Sequence, residues 1–309
     1  MKSELSVIDS MYIRPSFAAV FIREEGDEVA IIETGTARSR SLILAALDAR
    51  GIAREGVRYV IVSHAHLDHA GAAAALMDVL PNAKLVAHPR AARHLIDPTK
   101  LEASARQVYG DEAFERLYGR LLPVAAERVI QPEDGSTIPF GAGEFGFLHT
   151  RGHAKHHFCI LDPAADAIFT GDAFGLAYPE LQEPGVFIFP STSPTDFEGE
   201  EALASVDRVA TSGAGRAMLT HFGELRRIEE ARAQLRWQIE FSMEIAAAAR
   251  AMPEEARRDY LLDRLHERFR EILAKAAFIE KDLGLNADGL AWSIRDKAAG
   301  SSTKPGGML

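Results

Sequence analysis

Four side chains able to ligate a metal fall within six positions of the segment Ser63-His64-Ala65-His66-Leu67-Asp68-His69-Ala70-Gly71. The whole chain carries 11 histidines, so three of them beside one aspartate is not an accident of composition. The apolar run from Val57 to Val62 leads into the segment and reads as a buried strand. Side chains alternate along an extended chain, so His64 and His66 point to one face and can share one ion. Asp68 and His69 follow where the chain must turn towards a helix opening near Gly71. There they can aim at a second ion roughly 3.5–4 Å from the first, the separation usual in two-metal sites. Three later residues have the chemistry to complete such a site. His153 lies in a Gly-His turn after a strand, Asp172 follows Thr170-Gly171 at a strand end, and His221 comes directly after a strand ending at Thr220. Each stands where a sheet hands over to a loop, the usual place for ligands in α/β sandwiches.

The elements that must position these residues can be read in order. Ala18 to Ile22, a polar turn at Glu24 to Glu28, and Val29 to Ile32 spell a hairpin closed by Glu33-Thr34-Gly35. Ser39 to Arg50 has helical apolar spacing and stops at Gly51. After the His-rich turn, an Ala-rich helix from Gly71 to Leu80 ends at Pro81, and Lys84 to Ala87 is a short strand. Residues 98–122 read as two short helices around Tyr109-Gly110-Asp111, an excursion above the sheet. Strands resume at 127–130, 137–140, 144–149, 156–161 and 167–170. A loop from Phe174 to Phe197 leads to a helix over 198–210, and Ala217 to Thr220 is the last strand. The alternation of strands and helices favours a layered α/β sandwich, with residues 1–223 as its main domain. Over 224–299 two apolar helical stripes, Leu225 to Met243 and Leu262 to Leu283, need a surface to bury: a sheet edge, the wall of the cleft, or a second copy in a homodimer. Residues 300–309 read as a flexible tail.

Composition sets outer bounds. The 309 residues are 47% hydrophobic and 26% charged, and the net charge of −10 argues against a nucleic-acid partner. The one cysteine, Cys159, excludes an intrachain disulfide and reads as a small buried hydrophobe on a strand. The N-terminus lacks an apolar signal core and no apolar run reaches membrane-spanning length, so a cytoplasmic, soluble protein with no membrane partner is expected.

In their order, His64-x-His66-x-Asp68-His69, His153, Asp172 and His221 resemble the motifs of the metallo-β-lactamase superfamily, over Phe17 to His221. The resemblance implies a four-layer αβ/βα sandwich, here with a C-terminal helical extension, and two divalent metal ions per chain, zinc first, with iron or manganese as alternatives. It implies that one metal takes His64, His66 and His153, that the other takes Asp68, His69 and His221, and that Asp172 bridges them. Aspartates at 68 and 172 resemble the hydrolase branch of glyoxalase II and the acyl-homoserine lactonases. The implied function is metal-dependent hydrolysis of an ester, lactone or thioester in a small-molecule substrate. The attacking hydroxide comes from a water shared by two ions that lower its pKa from ~15.7 towards ~7. Asp68 is then catalytic as well as ligating. Tyr178, soon after Asp172, either donates to a developing oxyanion or packs the loop. Alternatives are a glutathione thioesterase like glyoxalase II and a mononuclear-iron oxidoreductase like the persulfide dioxygenases. Glu33 departs from the Asp-Thr-Gly that the superfamily often shows at this strand end. It either accepts a hydrogen bond from a ligating histidine or is a surface turn carboxylate. Residues 156–207 hold no Lys or Arg but many apolar side chains, including Phe174, Leu176, Tyr178, Ile188 and Phe189. If that loop overhangs the metals, it favours a neutral, partly hydrophobic substrate.

Overall fold

Two six-stranded sheets are built in sequence order, the first from the first six strands and the second from the next six. A computed structural model describes residues 3–183, 185–192 and 196–295; the tail expected over 300–309 lies outside them. The first sheet runs β1 (Ser3–Asp9), β2 (Ala19–Glu25), β3 (Glu28–Ile32), β4 (Val57–Val62), β5 (Lys84–Ala87), β6 (Val129–Ile130). Its first three strands are antiparallel and its last four parallel. The second sheet runs from β7 (Thr137–Phe140) through β8 (Gly143–His149), β9 (Phe158–Asp162), β10 (Ala167–Gly171) and β11 (Arg216–Leu219) to β12 (Gly223–Leu225). Only β10 and β11 pair in parallel there. The crossover helices are α1 (Arg40–Ala49), α2 (Leu67–Ala70), α3 (Ala73–Met77), α4 (Pro89–Ile96), α5 (Thr99–Tyr109), α6 (Asp111–Leu117) and α7 (Gly199–Ala210). The chain closes with α8 (Ile228–Ala249), α9 (Glu254–Leu273) and α10 (Glu280–Ser293).

Strand alternation generates the layers. On β4, Val60 and Val62 face α1, α3 and α4, while Tyr59 and Ile61 face the second sheet. On β9 to β11, Phe158, Ile160, Phe169 and Met218 fill the inter-sheet core. Cys159, Ile168, Ala217 and Leu219 on the opposite face join a third core with α7 to α10. Period-two patterning on both sheets therefore dictates helix, sheet, sheet, helix.

Several elements differ from the sequence reading, among them α4, which falls where no element was read. Strand β1 precedes the hairpin, and β12 follows what reads as the last strand. The Ala-rich helix is broken into α2 and α3, and it opens at Leu67, so Asp68 and His69 lie on a first helical turn. The amides of His69 and Ala70 both reach the carbonyl of His66, which starts that turn ahead of Gly71. The second C-terminal stripe is two helices, since Leu265 and Phe269 belong to α9 and Leu283 to α10. The three C-terminal helices share one core with α7, the loop after Asp172 and the outer face of the second sheet.

One buried ion pair ties the sheets together. Arg23 on β2 is fully buried and donates its Nε to Asp162 at the end of β9, 2.7 Å away. A second arm meets Glu25 at 2.7 Å. Removing one partner of such a pair leaves a charge that burial penalises. Arg23→Met should therefore cost about 3–5 kcal/mol in urea denaturation. Arg23→Met combined with Asp162→Asn should cost less than the single change.

Candidate metal centre

All seven sequence-predicted ligands meet at one end of the sandwich, beyond the carboxyl ends of β4, β10 and β11 and in the turn between β8 and β9. Three groups of ligand atoms each lie within 4.8 Å of one another: His64, His66 and His153; His64, His69 and Asp172; Asp68, His69 and His221. Nε2 of His153 lies 3.3 Å from His64 Nε2 and 3.1 Å from His66 Nδ1. Asp172 faces both sides. Its Oδ2 is 3.4 Å from His153, and its Oδ1 is 3.2 Å from His69 and 3.5 Å from His221. Oδ2 of Asp68, partly exposed, is 3.4 Å from His221 and 3.7 Å from His69.

Three of the imidazoles are aimed by their other nitrogen. His221 Nδ1 donates to the Phe17 carbonyl at 2.7 Å, and His153 Nδ1 to the Ser191 carbonyl at 3.2 Å. A carbonyl only accepts, so both rings must present Nε2 to the centre. His69 Nδ1 is 3.2 Å from Oε1 of Glu33. Of the two readings of Glu33, the buried one holds: it is 1% exposed, and Ser63 N–H and Thr220 Oγ1 also donate to its carboxylate. Its φ of +62°, unusual for a residue with a Cβ, turns the side chain at the strand end towards His69. His157 is buried, bonds Thr150 Oγ1 at 2.8 Å, and accepts the Asp172 amide at 3.2 Å. It fixes the backbone that carries Asp172.

The electrostatics divide the cluster. Burial, reinforced by neighbouring imidazoles, depresses His64 and His66 well below the usual histidine range. Burial also lowers His153, with Asp172 opposing it. These three are neutral rings with free lone pairs, the form that ligates. Burial acts the same way on His69 and His221, but Asp172 and Asp68 overcome it and raise both. Burial works against ionised Asp172 and Asp68, yet His69 leads the groups that hold both carboxyls low. The carboxylates thus demand positive charge between them. Two buried atoms in that space, His69 Nε2 and Asp172 Oδ1, have no hydrogen bond although they are 3.2 Å apart. Orphaned, convergent nitrogen and oxygen donors of this kind fit a divalent metal ion.

Tyr178 is placed otherwise than an overhanging donor would be. It is fully buried, and its hydroxyl lies 3.4 Å from Oδ1 of Asp282 on α10. Burial holds its phenol well above the ordinary range. Its ring stacks on Phe17, whose edge meets His221. Phe174, Leu176, Ile188 and Phe189 are likewise buried, in the core shared with α8 to α10. The loop after Asp172 therefore anchors the C-terminal helices and does not spread an apolar surface over the centre. Cys159 is buried as expected, its thiol pushed up to about 12 by burial. His88 caps α4 by accepting the Arg90 amide.

A two-sheet α/β sandwich with imidazoles and carboxylates gathered at its strand ends defines a class of metal-site proteins. The family model of the metallo-beta-lactamase superfamily matches residues 16–221, more than half of the chain, and the protein belongs to that superfamily. The chain is 31% identical over 140 residues to the metallo-beta-lactamase fold-containing protein ST1585 of Sulfurisphaera tokodaii, an alignment spanning 44% of this chain and 49% of that protein. The chain thus matches about half the length of that curated relative. The crystal structure of an archaeal superfamily protein, ST1585 from Sulfolobus tokodaii, superposes with a TM-score of 0.61 at 24% identity, covering 76% of this chain and 86% of that one. A metallo-beta-lactamase family protein of Thermus thermophilus superposes with a TM-score of 0.67 at 20% identity over 93% and 92% of the two chains. The second match is long enough to take in most of the C-terminal helices. Among the described residues, no helix is long and apolar enough to cross a membrane.

Gly171 shows how tightly the centre is built. Its φ is +49°, and a Cβ there would sit 2.5 Å from both His157 Nε2 and Ser63 Oγ. Gly171→Ala combines left-handed strain of ~1–2 kcal/mol with overpacking of ~1–3 kcal/mol. Denaturant titration should show a loss of at least ~2 kcal/mol, and unchanged stability would mean the neighbours relax freely.

Proposed function

We propose that the protein is a dinuclear metal-dependent hydrolase that cleaves an ester, lactone or thioester, with zinc the first candidate and iron or manganese the alternatives. The observation that carries this reading is the division of the Asp172 carboxylate, one oxygen towards His153 and the other towards His69 and His221. A carboxylate that faces two ligand groups suits two ions. On this reading His64, His66 and His153 hold one ion, Asp68, His69 and His221 the other, and Asp172 both. Bound there, divalent ions would supply an acidified water at neutral pH and polarise a carbonyl.

The chain's own residues do the rest. Asp68 is the carboxylate nearest solvent and can accept a hydrogen bond from the attacking water as well as ligate. Glu33, Phe17 and Ser191 hold His69, His221 and His153 in the ligating tautomer. Tyr178 acts through packing, since its hydroxyl is turned to Asp282. Of the expected neutral, partly hydrophobic substrate, the neutral part is favoured because the arginines just before and within α8 are committed elsewhere; the apolar part loses its support with the loop turned to the C-terminal helices. Arg226 pairs with Glu224, Arg227 with Glu230, and Arg232 and Arg236 with Asp207. A glutathione thioester would want such cations near its carboxylates.

Elemental analysis of the purified protein should give two metal ions per chain, and chelation should abolish turnover. Asp172→Ala should lose both ions and activity together; a variant that kept two tightly bound ions and full turnover would refute the assignment. A single iron with oxygen uptake would instead support the persulfide-dioxygenase-like reading. A panel of lactones, aryl esters and lactoylglutathione ranks the substrates.

Glu33→Gln should weaken metal retention about 10–100-fold in a competition with chelator, while circular dichroism stays that of the native protein. An unaltered metal affinity would reduce Glu33 to a folding role.

A further inference from the structure

The segment from Val186 to Thr192 belongs to neither sheet and to no helix. Its backbone groups must therefore find partners outside the ladders, and side-chain amides supply most of them. The Val186 carbonyl takes Gln234 Nε2 at 2.7 Å, that of Phe187 takes Gln182 Nε2 at 2.8 Å, and that of Ile188 takes Gln238 Nε2 at 2.6 Å. Phe189 pairs with Leu176 through two backbone bonds of 2.8 and 3.1 Å. The Pro190 carbonyl takes Asn286 Nδ2 at 3.0 Å. The next carbonyl in this row, that of Ser191, is the one that takes His153 Nδ1.

Asn286 lies within α10, and asparagine is a poor residue for a helix interior. It is 7% exposed, and burying its amide is costly unless both ends are bonded. Both are, and to the two residues that flank Ser191. Nδ2 donates to the Pro190 carbonyl, and Oδ1 accepts the Thr192 amide at 2.9 Å. A carbonyl only accepts and a backbone N–H only donates, so a single orientation of the side-chain amide satisfies the pair. The Thr192 hydroxyl adds a bond to the backbone carbonyl of Asn286 at 2.9 Å. Ser191 is thus held on both sides by one residue of α10.

His153 depends on that hold. The Ser191 carbonyl keeps the proton on Nδ1 and leaves Nε2 to face His64 and His66. If the carbonyl drifts, the ring loses both its tautomer and its aim. Gln234 grips the same segment in the same two-point way, with Oε1 on the Ile188 amide at 3.2 Å. The Leu176–Phe189 pair, however, stands between that grip and Ser191.

We propose that Asn286 is a positioning residue of the metal centre: it fixes the Ser191 carbonyl, and through that carbonyl the His153 ring. It lies beyond residues 16–221, which the family model matches, so the C-terminal helices support a ligand as well as closing a core. That His153 binds an ion rests on the metal-site reading above; that Asn286 sets the ring does not.

Two measurements on the full chain test this. In a competition with chelator, Asn286→Leu should weaken zinc about tenfold, the low end of what loss of a ligand's supporting hydrogen bond costs. Gln234→Leu should lose stability in urea and keep its zinc affinity. By NMR on protein carrying isotope-labelled histidine, the His153 Nδ1 proton should exchange slowly with solvent in the wild type and in Gln234→Leu, and rapidly in Asn286→Leu. Asn286→Asp, which keeps the size but sets a carboxylate against the Pro190 carbonyl, serves where Asn286→Leu does not fold. Wild-type zinc affinity or a wild-type Nδ1 proton in the folded Asn286 variant would overturn the proposal. An equal loss of zinc in Gln234→Leu would also overturn it, since general loosening would then explain the effect. If the wild type binds no zinc, the metal-site reading fails by itself and the Nδ1 proton decides alone: protection lost only in the Asn286 variant supports the positioning role, and protection retained overturns it.

Discussion

Holding the carboxylates of Glu33 and Asp172 and a group of imidazoles together away from water, with Asp68 at their edge, is the constraint on which the rest of the structure depends. Burying an unpaired charge is costly, so the arrangement survives only if every member has a compensating neighbour. Asp172 has His69, His153 and His221 around it, and Glu33 has His69, Ser63 and Thr220. Behind these stand neutral partners, Thr150 through His157 and the carbonyls of Phe17 and Ser191. The polar network is thus continuous from ligand atoms to backbone, and networks of this kind specify one geometry rather than many. Close backbone approach at Gly171 and the left-handed turn at Glu33 are what this convergence requires of the chain.

Much of this was legible in the residues. The spacing of His64, His66, Asp68 and His69 after an apolar run placed the centre at the end of β4. The later ligands were recognisable because each followed a strand, and strand ends are where an α/β sandwich presents side chains. The apolar run from Val57 to Val62 also marked a strand covered on both faces.

What was not legible depended on tertiary context. His157 looks like any polar residue near a turn, and only the fold brings its ring to the Asp172 amide. The start of α2 at Leu67 follows from His66 accepting two amides, which no periodicity announces. The apolar loop after Asp172 reads in sequence as a surface over the centre, but an apolar list does not say which way it faces. Here three helices from the end of the chain claim it.

The centre draws its ligands from both sheets. His64, His66, Asp68 and His69 follow β4 in the first, whereas His153, Asp172 and His221 belong to the second. A site divided in this way works as a gauge of how the two halves are seated against each other. Any ion gripped by both halves recognises only the assembled sandwich, and by mass action its binding free energy is added to their cohesion. Affinity for the ion and docking of the halves are then one thermodynamic quantity seen from two directions. A substitution far from the ligands that lets the sheets slide, such as one at the Arg23–Asp162 tie, would be felt as a looser grip on metal before it was felt as unfolding.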